Sequence, residues 1–297
     1  MSRIMMRCTG WLAATVLTLL SLGGGPAVAA DALGLDGPDE ALTAMRKIQC
    51  STADGVPVTY GWEGRVYSRV PGERDRPLFR VEGMNILQCG PLSAEEGGPG
   101  FKLVTREILL YLDPETGEVM DQWENPWTGQ TVDVIHVTND PVNQRFGRTG
   151  RGGREFALPF VVQGNQWWLT STVPLFYTNV LGGEYQKYVG GTYHATEMFN
   201  FFGDVDEITD PDVESIPARV GWVRISSWLP WMEMGDRTGL LYFHTAGRKL
   251  DSFDDLSDRM KQQIADNFPE YASPPPLDDQ RRNETSWTFF KKVLDAQ

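Results

Sequence analysis

Basic residues are scarce in this chain. Its 297 residues include 27 Lys and Arg against 40 Asp and Glu, for a formal net charge of −13. Proteins that bind DNA or RNA need a basic surface, because contacts with phosphates supply most of their affinity. The composition therefore excludes nucleic acid as a partner and predicts an acidic surface that keeps the protein soluble.

The motifs of several common enzyme classes are also missing. The sequence contains no nucleophile elbow, no thiol–His pair and no dinucleotide fingerprint. The glycine pairs Gly182-Gly183 and Gly190-Gly191 lack the spacing of a nucleotide-binding loop. We therefore expect no organic cofactor, and the motifs by themselves reveal no reaction.

Long apolar runs are confined to the N-terminus. Residues Met1–Ala30 combine basic Arg3 and Arg7, an apolar run over Trp11–Leu22 and the small residues Ala27–Ala29. This pattern predicts a Sec-type signal peptide over 1–30, a single domain over 31–297 and a periplasmic or secreted protein. The alternative is a retained membrane anchor, but the run is shorter than the roughly 20 residues that span a bilayer. We expect no stable membrane insertion.

Cysteine is scarce as well. Of the three cysteines, Cys8 would leave with the signal peptide, which leaves Cys50 and Cys89. In an oxidising compartment we expect these two to pair, tying the end of a helix to the end of a strand. Closing that loop would stabilise the fold by roughly 4 kcal/mol. The alternative is two separate buried thiols.

Segments with the sequence pattern of β-strands are abundant. Residues 106–112, 119–124 and 131–137 are apolar or β-branched, and Pro- and Gly-containing turns at 113–117 and 125–129 separate them. They predict a three-stranded meander. Further strands are expected at 58–70, 78–88, 101–112, 155–162, 166–173, 193–202, 220–227 and 239–246.

Helices are expected at the two ends of the domain. Pro38–Gln49 begins with Pro and acids and ends with bases, as helices do. A second helix is expected to begin at a Ser252 cap and to stop at Pro269, and a last short element spans Trp287–Leu294. With about ten sequential strands, these elements predict a mainly β fold: an antiparallel meander barrel, lipocalin-like or calycin-like, because closure removes unpaired edges.

A barrel of this size encloses a cavity unless helices fill it. The cluster of Trp222, Trp228 and Trp231, beside two methionines, suggests an aromatic pocket wall for a small apolar or aromatic ligand. Core packing is the alternative interpretation, because large aromatic side chains commonly fill cores. We also assign His136 and Arg106 to ligand binding.

All three histidines lie in strand-like segments, at His136, His194 and His244. If they converged near Glu197 they would form a metal site with an open position, but no pair has ligand spacing. His194 and Glu197, three residues apart on a strand, point to opposite faces. A hydrogen-bonded core role is one alternative. An acid–base role is the other, with His194 as first candidate and Glu197, Tyr193 and His244 next.

Glu233 is a further catalytic candidate. It lies among apolar residues in the stretch 231–237, where a buried carboxyl would have a raised pKa and would hold a proton near neutral pH. The alternative is a turn with a surface ion pair.

Four long runs carry a resemblance to a known family: REILLYLDPETGEVMDQWENPWTG (106–129), VIHVTNDPVN (134–143), WLPWMEMGDRTGLLYFHTAGRKL (228–250) and NETSWTFFKKV (283–293). They resemble the domain of unknown function 1838 family over nearly all of the domain. The resemblance implies bacterial or fungal origin and frequent export, here an exported bacterial member. The family has no agreed activity, so the resemblance transfers no catalytic residue.

Three hypotheses about function remain. The first is a cofactor-independent enzyme that moves protons on an enclosed molecule, with lyase, hydratase or isomerase chemistry. The second is a lipocalin-like binding protein for the same hydrophobic ligand. The third is a structural barrel with a filled interior. Titratable groups converging inside the cavity would favour the enzyme, whereas an apolar interior would favour the carrier.

Overall fold

A ten-stranded antiparallel sheet organises the protein. The computed structural model describes residues 33–35, 37–150, 153–177, 181, 183–188 and 193–296. The strands are β1 (Val58–Arg69), β2 (Arg76–Pro91), β3 (Gly100–Leu112), β4 (Gln122–Glu124), β5 (Thr131–Asp133), β6 (Val137–Asn139), β7 (Gln144–Gly147), β8 (Phe160–Gln163), β9 (Gln166–Tyr177), β10 (Tyr193–Asp204), β11 (Arg219–Ser226) and β12 (Leu240–Lys249). The helices are α1 (Pro38–Gln49), α2 (Val205–Thr209), α3 (Asp258–Asn267) and α4 (Ser286–Asp295).

The strand order is β6-β3-β2-β1-β12-β11-β10-β9-β8, and β7 pairs with another part of β3. Most neighbours are consecutive in the chain, and the pairing of β1 with β12 brings the early and late hairpins together. The predicted mainly β, antiparallel architecture with about ten strands and terminal helices is confirmed. The proposed signal peptide lies outside the described residues.

The sheet differs from the predicted closed barrel. Within the described residues no closed barrel is found: β6 and β7 lie at one edge and β8 at the other. The edges are protected in another way, since these strands have only three or four residues each and α4 packs against β6. Short, covered edge strands reduce the risk of edge-to-edge association without closure.

The predicted meander is also only partly correct. The third predicted strand, 131–137, is divided into β5, which pairs with β4 in a separate two-stranded sheet, and β6, which pairs with β3. Residues 134–136 between them leave the ladder, and Val134 N donates to Asp121 O. One apolar segment therefore serves two sheets.

One end of the sheet is covered by α1, whose observed bounds match the prediction. Its buried side chains, among them Ala41 and Ile48, pack against one face of the sheet. The Cys50–Cys89 disulfide joins the residue after this helix to β2, with a Cα–Cα distance of 5.9 Å. The predicted disulfide is thus present. We call the face that α1 covers the inner face.

The other face of β2 and β3 is covered by α3. Met260 and Ile264 of α3 pack on Met84 and Ile108. Ser252 does not cap this helix as predicted: it caps a 3-10 turn at Phe253–Asp255, and the Ser257 side chain caps α3. No helix among the described residues is long and apolar enough to cross a membrane.

The sheet is strongly curled, so that the inner face is concave. Five strand spacings separate β3 from β10, which in a flat sheet would be about 24 Å. Leu109 of β3 and Ala195 of β10 nevertheless belong to one buried cluster, and the rings of Trp62 on β1 and Trp222 on β11 meet at 5.3 Å across the intervening β12. Curling therefore brings together inner-face side chains from strands that are not neighbours.

Candidate functional site

A belt of polar side chains crosses the inner face between two apolar clusters. On the α1 side lies a cluster around the disulfide and Leu169, and on the other side one that contains Phe79 and Phe243. The polar belt, as we call it, consists of Trp62, Asn85, Glu107, Glu197 and Arg224.

A hydrogen bond between a guanidinium and a carboxyl group forms one side of the polar belt. Glu197 of β10 and Arg224 of β11 are directly opposite each other in the ladder, so their side chains share the inner face. Arg224 Nη1 donates to Glu197 Oε1 at 2.9 Å.

A hydrogen-bonded chain forms the other side. Trp62 Nε1 donates to Asn85 Oδ1 at 3.0 Å, and Asn85 Nδ2 donates to Glu107 Oε2 at 3.4 Å. The Trp62 ring lies across Gly83 of the neighbouring strand, where an added Cβ would be 2.1 Å from Trp62 Cζ2. Glycine at this position therefore allows the indole to reach Asn85.

The two carboxyl groups of the polar belt have shifted pKa values. Burial raises the pKa of Glu197 to about 8, and the negative charge of Glu107 adds to the effect. Burial also raises the pKa of Glu107, against the opposing influence of Arg224 and the hydrogen bond from Asn85. Two carboxyls that interact in this way can hold a proton at neutral pH.

Solvent reaches this site. The Glu197 and Arg224 side chains retain 19% and 17% of their exposure. Val173, which pairs with Glu197 across the β9–β10 ladder and shares its face, is 38% exposed. An exposed valine on the concave face marks an opening on the β9 side.

Aromatic rings flank the polar belt. The rings of Trp62 and Trp222 meet edge to face at 5.3 Å, and Trp222 lies 5.7 Å from Phe243. Tyr111 lies within the field of Arg224 and Glu107, and burial raises the pKa of its hydroxyl. These rings offer an apolar surface beside the two carboxyls.

His194 and His244 lie away from the polar belt. Both are exposed, and alternation along β10 and β12 places them on the outer face. Glu197 is the one catalytic candidate from the sequence that the structure places at the site. Tyr193 begins β10, but its side chain lies outside what the structure describes.

His136 is near the site but is bound by the backbone. Its Nδ1 accepts a hydrogen bond from Tyr111 N at 3.1 Å, and its ring stacks on the Tyr111 ring at 6.1 Å. Burial lowers the pKa of His136 to about 4, so it is neutral at physiological pH. His136 therefore holds Tyr111 in place through these two contacts. It does not converge with His194 and His244, which lie on the outer face.

The other residues predicted to bind a ligand lie in different parts of the structure. Trp222 lies beside the polar belt, whereas Trp228 and Trp231 are packed into the apolar core at 6% and 5% exposure. Arg106 lies on the outer face and donates to the backbone oxygens of Glu270 and Ser273.

Glu233 is exposed and does not occupy the buried position that the sequence suggested. It follows a 3-10 helix with a positive φ of 52°. Among the described residues, no group of three or more His, Cys, Asp or Glu side chains is placed to hold a metal ion.

Sequence reasoning missed Glu107, Arg224 and the polar partners of the belt. A signal was present: Glu107 is in phase with inward-facing Leu109 and Tyr111, and Arg224 is in phase with Trp222. A charged residue on the buried phase of a strand has to be paired or functional, because burying an unpaired charge is costly. The pattern could not show that the two residues meet.

The sequence was compared with known protein families, and the match covers the whole site. The sequence model of one family, described as protein of unknown function (DUF1838), matches residues 55–294. The chain belongs to the DUF1838 family. The DUF1838 match extends from just before β1 into α4, and therefore includes every residue of the polar belt. Comparisons with curated proteins and with solved structures found no match.

Proposed function

We propose that this protein encloses a small apolar or aromatic molecule in its curled, lipocalin-like sheet and transfers protons on it without an organic cofactor. The observation that carries the proposal is the convergence of Glu107, Glu197 and Arg224 on the inner face, beside aromatic rings, where solvent still reaches Glu197 and Arg224. Buried carboxyls with raised pKa values beside a cleft are typical of acid–base sites.

The roles follow from the environments of the two carboxyls. Glu197, whose pKa burial raises to about 8, is protonated at neutral pH and acts as the general acid. Glu107 accepts a hydrogen bond from Asn85 and acts as the base. The Arg224 guanidinium stabilises negative charge that develops on the substrate. An acid, a base and a group that stabilises negative charge are sufficient for lyase, hydratase or isomerase chemistry without an organic cofactor.

A carrier function is the alternative. The Trp62–Trp222 edge contact provides an apolar wall that suits ligand binding whether or not protons are transferred. In a carrier, the hydrogen bond between Arg224 and Glu197 would hold β10 and β11 together, and the ligand would leave unchanged. The compartment proposed for either function is the periplasm or the exterior, which an oxidised Cys50–Cys89 pair suits.

The experiment is the identification by mass spectrometry of small molecules that co-purify with protein extracted from its host. We expect an apolar or aromatic compound with the wild-type protein, and its converted product after incubation. Glu197→Gln should retain the unconverted compound, whereas Glu63→Gln, on the exposed outer face of β1, should behave as wild type. Binding without conversion by the wild type supports the carrier, and a protein that never holds a small molecule contradicts both functions.

A further inference from the structure

The polar belt contains more negative than positive charge. Two carboxyls, Glu107 and Glu197, act on one guanidinium, Arg224, and on the Tyr111 hydroxyl. Lys249 lies on the same face, but acceptors near the end of α1 bind its ammonium. When both carboxyls are ionised, the described residues of the group supply one positive charge against two negative charges. Either a proton or a cation from outside can supply the second positive charge.

A buried acceptor beside Glu107 lacks a donor. Asn139 of β6 is directly opposite Glu107 in the ladder and is 8% exposed. Among the residues that the structure describes, no donor reaches its Oδ1. Leaving a buried amide oxygen without a donor is unfavourable. A ligand that brings a donor to this oxygen would satisfy it next to the excess carboxylate.

The aromatic wall suits the same kind of ligand group. Indole faces attract cations through their ring quadrupole. The Trp62 and Trp222 rings meet at 5.3 Å, and Trp62 also binds Asn85, the hydrogen-bond partner of Glu107. An apolar body and a cationic group can therefore be accommodated side by side.

We propose that the ligand carries a protonated amine on an aromatic or apolar body, and that its ammonium binds between Glu107 and Glu197 and donates to Asn139. This inference rests on the proposed function and narrows its substrate class. The charge excess and the buried acceptor that no described donor reaches each call for a cationic donor, and the indole rings offer surface for its aromatic or apolar body.

The inference has a measurable consequence. Burial holds a proton on Glu197 at pH 7, because its pKa is about 8. An ammonium between the two carboxyls lowers that pKa, so the proton leaves to the buffer as the amine binds. Arg224 and the Tyr111 hydroxyl also face the group, and neither changes its charge near pH 7. Amine binding should therefore release protons, and close to one of them comes from Glu197.

Isothermal titration calorimetry at pH 7 tests the inference with two matched series: tryptamine, tryptophol and indole-3-propionate, and benzylamine, benzyl alcohol and benzoate. We expect the amine of at least one series to bind at least tenfold more tightly than its alcohol, with the carboxylate weakest. Titrations in two buffers of different ionisation enthalpy should show the proton release.

Variants separate the possible outcomes. Glu107→Gln and Glu197→Gln should each reduce the amine preference to less than threefold, with alcohol binding nearly unchanged, whereas Glu63→Gln should keep the wild-type preference. Folding of each variant is checked by thermal melting. Alcohols that bind as tightly as the amines overturn the inference and leave an enclosed-ligand function standing. Absence of binding by every member of both series overturns both.

Discussion

Two groups of buried charged side chains lie on the inner face: Lys249 with its partners, and the polar belt. They differ in whether every buried polar atom has a hydrogen-bond partner. Lys249, at 6% exposure, donates to Lys47 O at 2.7 Å, to Cys50 O at 2.9 Å and to Ser215 Oγ at 3.1 Å. Its three donors are thus used at the C-terminal end of α1, where a cation is favourable. Burial lowers the pKa of Lys249 to about 7.

The polar belt contrasts with this arrangement. Glu197 has a pKa shifted as strongly, but solvent reaches its side chain and an unpaired buried acceptor, Asn139, lies on the same face. A shifted pKa therefore reports burial in both groups. What distinguishes a candidate site from a structural group is access and unmet hydrogen bonding.

The largest effect is expected at the Lys249 group, from loss of the disulfide beside it. Replacing both Cys50 and Cys89 with alanine removes the cross-link beside Lys249 and should lower the free energy of unfolding by about 4 kcal/mol, since the bridge closes a long loop in the unfolded chain. Urea unfolding of oxidised protein measures it. Ligand binding at the polar belt should persist below the transition. A loss under about 1 kcal/mol would contradict the expectation.

Lys249→Met comes next. It leaves two backbone carbonyls at the end of α1 without a charged donor and should cost roughly 3 kcal/mol. Because the folded pKa is about 7 against 10.5, the unfolded chain binds more protons between these values, so wild-type stability rises from pH 7 to 10.5. Urea midpoints across this range should lose that rise in the variant. Exposed Lys187→Met is the control.

Glu197→Gln should reveal the opposite pH dependence. The folded pKa of about 8 exceeds the ordinary 4.5, so the folded chain binds more protons and stability falls as pH rises from 4.5 to 8. Within that window the slope contributed by one proton approaches about 1.4 kcal/mol per pH unit. The variant should lose this slope and Glu63→Gln should keep it. Equal slopes in all three proteins would remove Glu197 from the site.

The smallest effect is expected for the exposed histidines. His194→Ala and His244→Ala should each change stability by less than about 0.5 kcal/mol, because both side chains lie on the outer face away from the polar belt. Turnover and ligand affinity should equal those of the wild type. If His194→Ala folds normally but loses turnover, His194 is again a catalytic candidate. The reaction would then take place on the outer face and not at the polar belt.

Much of the fold was predictable because local signals are strong. The bounds of α1 follow from Pro38 and the charges at its ends, and the long strands follow from apolar alternation and turn residues. The division of 131–137 between two sheets was not predictable, because a β-branched segment looks the same whichever strand it pairs with. Barrel closure likewise depends on edge partners that have no local signal.

The candidate site was less predictable than the fold. Alternation in the sequence is sufficient to place Glu197 and His194 on opposite faces, and it assigns Glu107 to the buried phase of its strand. It does not tell which distant strands face one another across a curled sheet. The three histidines attracted attention by their chemistry, whereas the groups that converge are carboxyls and a guanidinium.

The sequence by itself determined the secondary structure, the face of each strand residue, the acidic balance and the available cysteine pair, because these depend on neighbouring residues or on composition. The tertiary structure decided the open edges of the sheet, the burial of Trp228 and Trp231, and the meeting of Glu107 with Arg224 and Glu197. Those features depend on the twist and curl that accumulate over many strands, and no short stretch of sequence contains that information.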